Sequence, residues 1–372
     1  MSEPLIWILM IELIGIVAFP ITFLLCRWLP DRGIALSIPM GLVIAAYLSW
    51  VLSYTDIVPA SGFGPALSII IIAIPSIYIF SRYRKEIIEH LRSHVWLIVV
   101  TQLIFLALFF FWTLYRFYDP SISHTEQPMD MAFLSASMRT DFAPPEDPWL
   151  RGESISYYYF GYWIVAFFAN LVNTKASIAY NLALSLIPAI TSVGVIGLVY
   201  NIIKIDGGKI KFAILAGLIS SIALLAASNL EGALEFLRFN GIGSESFWDW
   251  ISIDGITGPI VNLTDSWRPT EFWWWWRATR VINVFENGVG LDYTIHEFPL
   301  FSGLLGDLHP HFLSLPFVTL FLGLVANFVV SSRTMMPGVS LISNLPIKKV
   351  VIAYATGFRT VSYTHLTLPT KA

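Results

Sequence analysis

Apolar residues in this chain come in blocks about twenty residues long separated by polar clusters, a spacing that predicts repeated crossings of a bilayer by α-helices. Four blocks open the sequence: Pro4 to Cys26, Ile34 to Tyr54, Ala66 to Phe80 and Val95 to Tyr115. The third is short for a span and needs flanking residues or little tilt. A long polar segment interrupts the pattern, and apolar stretches resume at Tyr157 to Val172, Ala176 to Ile203 and Phe212 to Ala227. A second polar region, Ser228 to His309, precedes an apolar block from Phe312 to Val330, and another block begins near Val350. Short-period internal repeats are not visible.

The expected fold class is all-α, a polytopic integral membrane protein. Its parts would be a four-span region (1–116), a polar loop with juxtamembrane helices (117–175), two spans around a basic connection (176–228), a second polar region (229–311), and a span with the start of another (312–360).

Charge orients this pattern. Arg27 and Arg32 follow the first block, Asp56 is the only charge after the second, and Arg82, Arg84, Lys85 and Arg92 follow the third. Lys204, Lys209 and Lys211, then Arg333, Lys348 and Lys349, form later basic clusters. By the positive-inside rule the basic clusters face the cytoplasm, and both long polar regions lie outside. The count closes only if one of the two stretches after the first polar loop does not cross. The shorter, opened by Tyr157, Tyr158, Tyr159 and Tyr162, suits a helix lying at the interface, where tyrosine rings are favoured. The expected location is the cytoplasmic (plasma) membrane, with the acidic loops extracytoplasmic.

Composition agrees: of 372 residues, 56% are hydrophobic and 13% charged, with a mean hydropathy of +0.69, values of a multi-pass protein embedded in the lipid bilayer. A net charge of −3 offers no basic face for nucleic acid. The lone Cys26 rules out an intrachain disulfide framework and a cysteine-rich metal site. The first block lacks a basic leader and is long enough to span, so no cleavable signal peptide is read there. Val361 to Thr370, VSYTHLTLPT, reads codon by codon like a sequencing-library adapter; 361–372 is expected to be such an artefact, in which case the natural chain would run on past Arg359 or Thr360. A disordered polar tail is the plain alternative.

Candidate chemistry collects in the polar regions. In the first, Glu126 and Asp130 stand ahead of Asp141, Glu146, Asp147 and Glu153. Two carboxylates at that spacing can share a divalent cation, or one can act as general base while the other orients it; solvated acids complementing a helix N-terminus are the bland alternative. Pro128 suits a helix start. Met129, Ala132, Phe133 and Ala136 would then form an apolar face, with Asp130 pointing away from it. In the second region, IHEFPLFSGLLGDLHPHF supplies His296, Glu297, Asp307, His309 and His311. Asp307, His309 and His311 could ligate a metal or hold a phosphate, while His309 could equally be an N-cap with Pro310 at the first helical position. The hard oxygen ligands of the Glu126–Asp130 pair would favour magnesium or manganese. In WRPTEFWWWWRATR, Arg268, Arg277 and Arg280 interleave with tryptophans. Arginine recognises phosphate bidentately, and Trp276 could hold an isoprenoid tail or a sugar face; an aromatic belt with snorkelling cations is the alternative. Asn262-Leu263-Thr264 matches a glycosylation acceptor. Within the blocks themselves Glu12 is the clear ionisable group. A transporter usually carries polar groups near the midplane, so this distribution favours a reaction at the outer interface.

The stretches EQPMDMAFLSASMRTDFAPPEDPWLRGESISYYYFGYW, WWRATRVI and HEFPLFSGLLGDLHPHFLSLPF resemble the Chlor_Arch_YYY membrane proteins, a domain of unknown function named for its tyrosine triplet. That family is similar to the GT-C superfamily of membrane glycosyltransferases, relatives of the protein mannosyltransferases and the aminoarabinose transferases, a fold-level analogy. The resemblance implies that the loop after Tyr115 faces a polyprenyl-phosphate sugar donor. Glu126 and Asp130 would take the acidic-motif role, Asp130 as general base or acceptor-orienting acid with Glu126 assisting and Glu297 as a second acid. Asp307, His309 and His311 would bind a metal or the donor phosphate. Arg277, Arg280, Trp276, Tyr157, Tyr158 and Tyr159 would contact substrate. The two acids here are separated by Gln127, Pro128 and Met129 rather than adjacent. A transporter or flippase of lipid-linked saccharide, needing the phosphate contacts but no base, and a non-catalytic membrane scaffold are the alternatives.

Overall fold

The computed structural model describes residues 2–227, 229–253, 255–256, 268–270, 274–286 and 289–335. The chain divides into two compact units, Met1–Leu225 with Leu305–Leu345, and Ala226–Leu304 with Pro346–Ala372. The Asn262 triplet, Trp267, Trp273, Lys348, Lys349, the block from Val350 and the 361–372 tail lie outside the described residues.

The first unit is helical throughout, as the apolar blocks require. It contains α1 (Ser2–Leu25), a 3-10 turn (Ile34–Leu36) leading into α2 (Ser37–Ser53), α3 (Gly64–Ser93), α4 (Val95–Tyr118), α5 (Gln127–Arg139), α6 (Phe160–Leu171), α7 (Ala176–Ile205) and α8 (Ile210–Leu225). Among the described residues, six helices are long and apolar enough to cross a membrane: α1, α2 with its lead-in, α3, α4, α7, and the segment Pro310–Ser332. The protein is an all-α polytopic membrane protein.

Where helix and apolar block differ, the reason is local. The third block ends at Phe80, yet helical structure continues to Ser93 across a kink at Tyr83, whose φ −114 and ψ 18 are non-helical. Arg82, Arg84 and Lys85 are exposed on it. Lysine and arginine are good helix formers, so the helix outlasts its hydrophobic stretch. Ile87 in this extension packs against Phe19 and Phe23 of α1. In the opposite sense, α6 starts only at Phe160 and has 12 residues, about 18 Å, too few to cross. Tyr162 through Ala169 are all buried, and α6 packs against α2, α5 and α7, so it is surrounded by protein. α8, with 16 residues, is about 24 Å long.

α7 forms the centre, packed against α4, α8 and α13 (Leu315–Met335). Small residues make this possible, because a close backbone approach leaves no room for a side chain. A Cβ at Gly194 would lie 2.3 Å from Thr319 Oγ1. A polar latch ties the α1–α2 connection to α7. Asp31 accepts hydrogen bonds from the Gly33 and Ala35 amides (2.8 and 3.2 Å) and from Asn201 Nδ2 (2.8 Å), and its own amide donates to Asn201 Oδ1 (2.9 Å).

The second unit contains α9 (Glu231–Phe239), α10 (Glu245–Ile251), a 3-10 turn (Trp274–Thr279), an antiparallel hairpin of β1 (Asn283–Glu286) and β2 (Val289–Tyr293), and α11 (Pro299–Leu305). Its core gathers Trp248, Ile253 and Ile256 with Leu234 and Val281. Trp275 and Trp276 pack on Phe301, and Trp274 on Phe236.

Candidate functional site

In the first unit, three separate stretches of sequence bring their polar side chains to one place: the start of α5, the tyrosine run before α6, and the loop between α11 and α12 (Pro310–Leu313). α5 begins at Gln127 with Pro128 in its first turn, where a missing N–H costs nothing. Its buried residues are Gln127, Asp130, Phe133, Leu134, Ala136 and Ser137, centred on one stripe at helical spacing that takes in Phe133 and Ala136 of the expected apolar face as well as Asp130. This corrects the expected orientation: Asp130 lies on the inward face and has no accessible surface, because that stripe packs on α6 and α7 rather than facing lipid. A buried carboxylate requires hydrogen-bond partners. Tyr162 of α6 donates one to Oδ1 of Asp130, and the Asp307 carboxyl makes another. Burial, and next the adjacent Asp130 carboxyl, push the Asp307 carboxyl well above the usual carboxylate range, with His309 opposing. Two carboxyls in contact cannot both ionise freely.

Backbone bonds aim Asp307 at its partner. The Tyr180 hydroxyl on α7 donates to the Gly306 carbonyl (3.1 Å) and accepts from the Leu308 amide (3.2 Å), bracketing Asp307 on both sides. Gln127 Nε2 donates to the Leu305 carbonyl (2.6 Å), while its Oε1 accepts from the Ser123 and His124 amides (2.9 and 3.1 Å). One side chain therefore fixes the entry to α5 and the Asp307 loop together. From the end of α4, buried Arg116 donates to Asn181 Oδ1 (2.8 Å) and the Ser121 carbonyl (3.0 Å). Gly306 passes it with φ +80, and a Cβ there would lie 2.3 Å from Arg116 Nη1.

The exposed edge belongs to Glu126 and His309. Glu126 Oε2 lies 3.2 Å from His309 Nε2, and the Glu126 side chain is 60% exposed. The Tyr157 hydroxyl lies 3.3 Å from the same nitrogen. His309 is the N-cap of α12 with Pro310 in the first turn, but its side chain makes no capping bond. Cap and site therefore coexist, the backbone doing one and the imidazole the other. His309 Nδ1 faces His311 Nδ1 at 3.0 Å. Tyr157 stacks on Phe133 (centroids 5.2 Å, 14°) and on Tyr158 (3.9 Å), donating its hydroxyl to that of Tyr158. Tyr159 leaves the cluster: it accepts from Trp50 Nε1 at 2.9 Å and lies 3.4 Å from the Tyr54 hydroxyl. Burial, followed by the Tyr54 hydrogen bond, pushes its phenol up to about 12.

Of the residues singled out by sequence, the structure thus brings together Glu126, Asp130, Tyr157, Tyr158, Asp307, His309 and His311. Trp276, Arg277, Arg280 and Glu297 belong to the second unit. There Arg277 Nε is hydrogen-bonded to buried Glu235, and Arg280 lies over the Trp276 ring at 4.1 Å. Burial, then the neighbouring Glu235 carboxyl, push the Glu231 carboxyl well above the usual carboxylate range. Glu297 is half-buried in the segment after the hairpin. Sequence reasoning missed Gln127, Tyr180 and Arg116, and read Tyr162 only as an interfacial ring. Tyr180-Asn181 in the middle of an apolar block was the available signal for one of them.

No curated protein matches this chain, and no solved structure does. Residues 44–357 match a family model described as an uncharacterized membrane protein (DUF2298). That match takes in α5, the tyrosine run and the Asp307 loop, and the chain belongs to this membrane protein family.

Proposed function

We propose that the protein is a membrane glycosyltransferase, moving a sugar from a polyprenyl-phosphate carrier to an acceptor hydroxyl at the extracytoplasmic face. The observation that supports this reading is the clustering of an accessible carboxylate–imidazole pair, Glu126 with His309, near a buried carboxyl pair, Asp130 with Asp307. A general base must come within about 3 Å of the proton it removes. Glu126 is accessible and Asp130 is not, so Glu126 is assigned as the base. Asp130 becomes a positioning residue that holds Asp307 and Tyr162. In the reaction the acceptor oxygen attacks the anomeric carbon, the bond from that carbon to the phosphate oxygen breaks, and polyprenyl phosphate leaves with the electron pair. Glu126 takes the acceptor proton. The stacked Tyr157 and Tyr158 offer ring faces and hydroxyls to a sugar. Arg277 and Arg280 have partners within the second unit, and the reading gives them and Glu297 no role.

The test supplies the purified protein with a labelled polyprenyl-phosphate sugar and follows release of the sugar from its carrier. Glu126→Gln should lower turnover by about 100-fold or more, the range of a lost general base, with helicity and monodispersity unchanged. Turnover equal to that of the unsubstituted protein rejects the base assignment. Movement of the labelled lipid across vesicles without sugar release supports a transporter instead.

A further inference from the structure

We propose that Asp307, His309 and His311 form the binding site of one octahedral first-row divalent cation, of which manganese(II) is the representative, with Glu126 and Tyr157 orienting His309. The inference concerns the same recess but stands or falls independently of the transfer reaction.

The Nδ1 atoms of the His309 and His311 imidazoles face each other at 3.0 Å. Nitrogens on a shared metal, with bonds of about 2.1 Å, lie about 3.0 Å apart at a right angle and about 3.4 Å apart at the tetrahedral angle. The observed separation matches the right angle of octahedral coordination.

Protonation of His309 follows from its other nitrogen. Nε2 faces the Glu126 carboxylate at 3.2 Å, and a carboxylate can only accept. Nε2 therefore carries the proton, and the lone pair falls on Nδ1, the atom directed at His311. A metal-bound histidine characteristically donates its other N–H to a carboxylate, which fixes ring and tautomer. The Tyr157 hydroxyl, 3.3 Å from the same nitrogen, closes that side.

The third donor is Asp307. One of its carboxylate oxygens and a His311 ring nitrogen lie within 4.8 Å of each other, so closure onto a common ion, with neighbouring donors about 3.0 Å apart, needs a shift of up to about 1.8 Å. Asp307 is buried, and apart from Asp130 no donor among the described residues reaches its Oδ1. Two imidazoles and one carboxylate leave three octahedral positions for water or phosphate oxygens. Two imidazoles disfavour magnesium, which keeps an oxygen shell, and suit a first-row transition ion, for which manganese(II) serves as the octahedral, EPR-active probe.

The experiment uses the purified protein in detergent, stripped with chelator and titrated with manganese(II). Expected are one ion bound per chain and pulsed-EPR couplings to two imidazole nitrogens. His311→Ala should remove one coupling, and Glu126→Gln should weaken affinity about 10–100-fold while keeping both couplings. Absence of stoichiometric binding, or a bound ion without imidazole couplings, overturns the proposal. Since the wild-type spectrum alone can do so, a variant that fails to fold does not shelter it. Manganese bound with both couplings in a protein that turns over no donor would keep this site and remove the transferase reading.

Discussion

Substituting Gly306 by alanine tests how the Asp307 loop is held. The residue has φ +80, and its new Cβ would stand 2.3 Å from Nη1 and 2.7 Å from Cζ of Arg116. Two costs follow. A non-glycine residue in the left-handed region costs about 1–2 kcal/mol. The guanidinium must also move, and it is buried with bonds to Asn181 Oδ1 at 2.8 Å and the Ser121 carbonyl at 3.0 Å. Losing one hydrogen bond to a charged group costs about 1.5–3 kcal/mol, so Gly306→Ala should destabilise by about 2.5–5 kcal/mol. Gly152 supplies the control: its φ is +85, but nothing lies within 4 Å of an added Cβ, so Gly152→Ala should cost the backbone share alone, about 1–2 kcal/mol. Reversible denaturant unfolding in a fixed detergent, followed by tryptophan fluorescence, measures both. Equal losses for the two variants would refute the claim that Arg116 and Gly306 lock the loop.

Three further outcomes are expected. Asn201→Ala removes both bonds to Asp31 and leaves a buried amide and carboxylate short of partners, a loss of about 2–4 kcal/mol readable in the same unfolding assay. Tyr180→Phe removes the bracket on Gly306 and Leu308 and should cost about 1–3 kcal/mol, with hydrogen exchange rising at the Leu308 amide. Glu231 has a folded-state pKa raised above its ordinary 4.5 by burial and by Glu235. The folded state therefore holds the proton more tightly than the unfolded chain, and stability falls as pH climbs from about 4.5 toward the raised value. Glu231→Gln should flatten that slope in thermal unfolding scanned from pH 4 to 8, and an unchanged slope would contradict the assignment.

Crossing helices were legible because hydrocarbon admits no unsatisfied backbone, so a run of about twenty apolar residues has essentially one local solution. α1, α2, α4 and α7 follow their blocks closely for that reason. α3 outran its block as a second helical piece joined across a kink at Tyr83: hydropathy loses it at Arg82, while helix propensity and the contact of Ile87 with Phe19 and Phe23 keep it. The membership of the site was also partly legible. Glu126, Asp130, Asp307, His309 and His311 stand out as ionisable residues beside apolar sequence, and the Tyr157–Tyr158 pair as a polar aromatic run.

The direction of each side chain was not available at that level. Asp130 read as lying opposite an apolar stripe because Met129, Ala132, Phe133 and Ala136 fit helical spacing. The inward face is instead the one that α6 and α7 cover, and a neighbour 30 to 50 residues away leaves no mark on local periodicity. The same holds for Tyr159, which Trp50 draws away from Tyr157 and Tyr158, and for Arg277, whose partner Glu235 lies on another helix of its unit. Sequence by itself determined the class of the protein, the positions of its spans and which ionisable residues sit at their ends, because these depend on transfer of each segment from water to lipid. Tertiary structure alone decided which of those ionisable groups meet and which are sealed from solvent, because desolvation and hydrogen bonding depend on distances between segments remote in the chain.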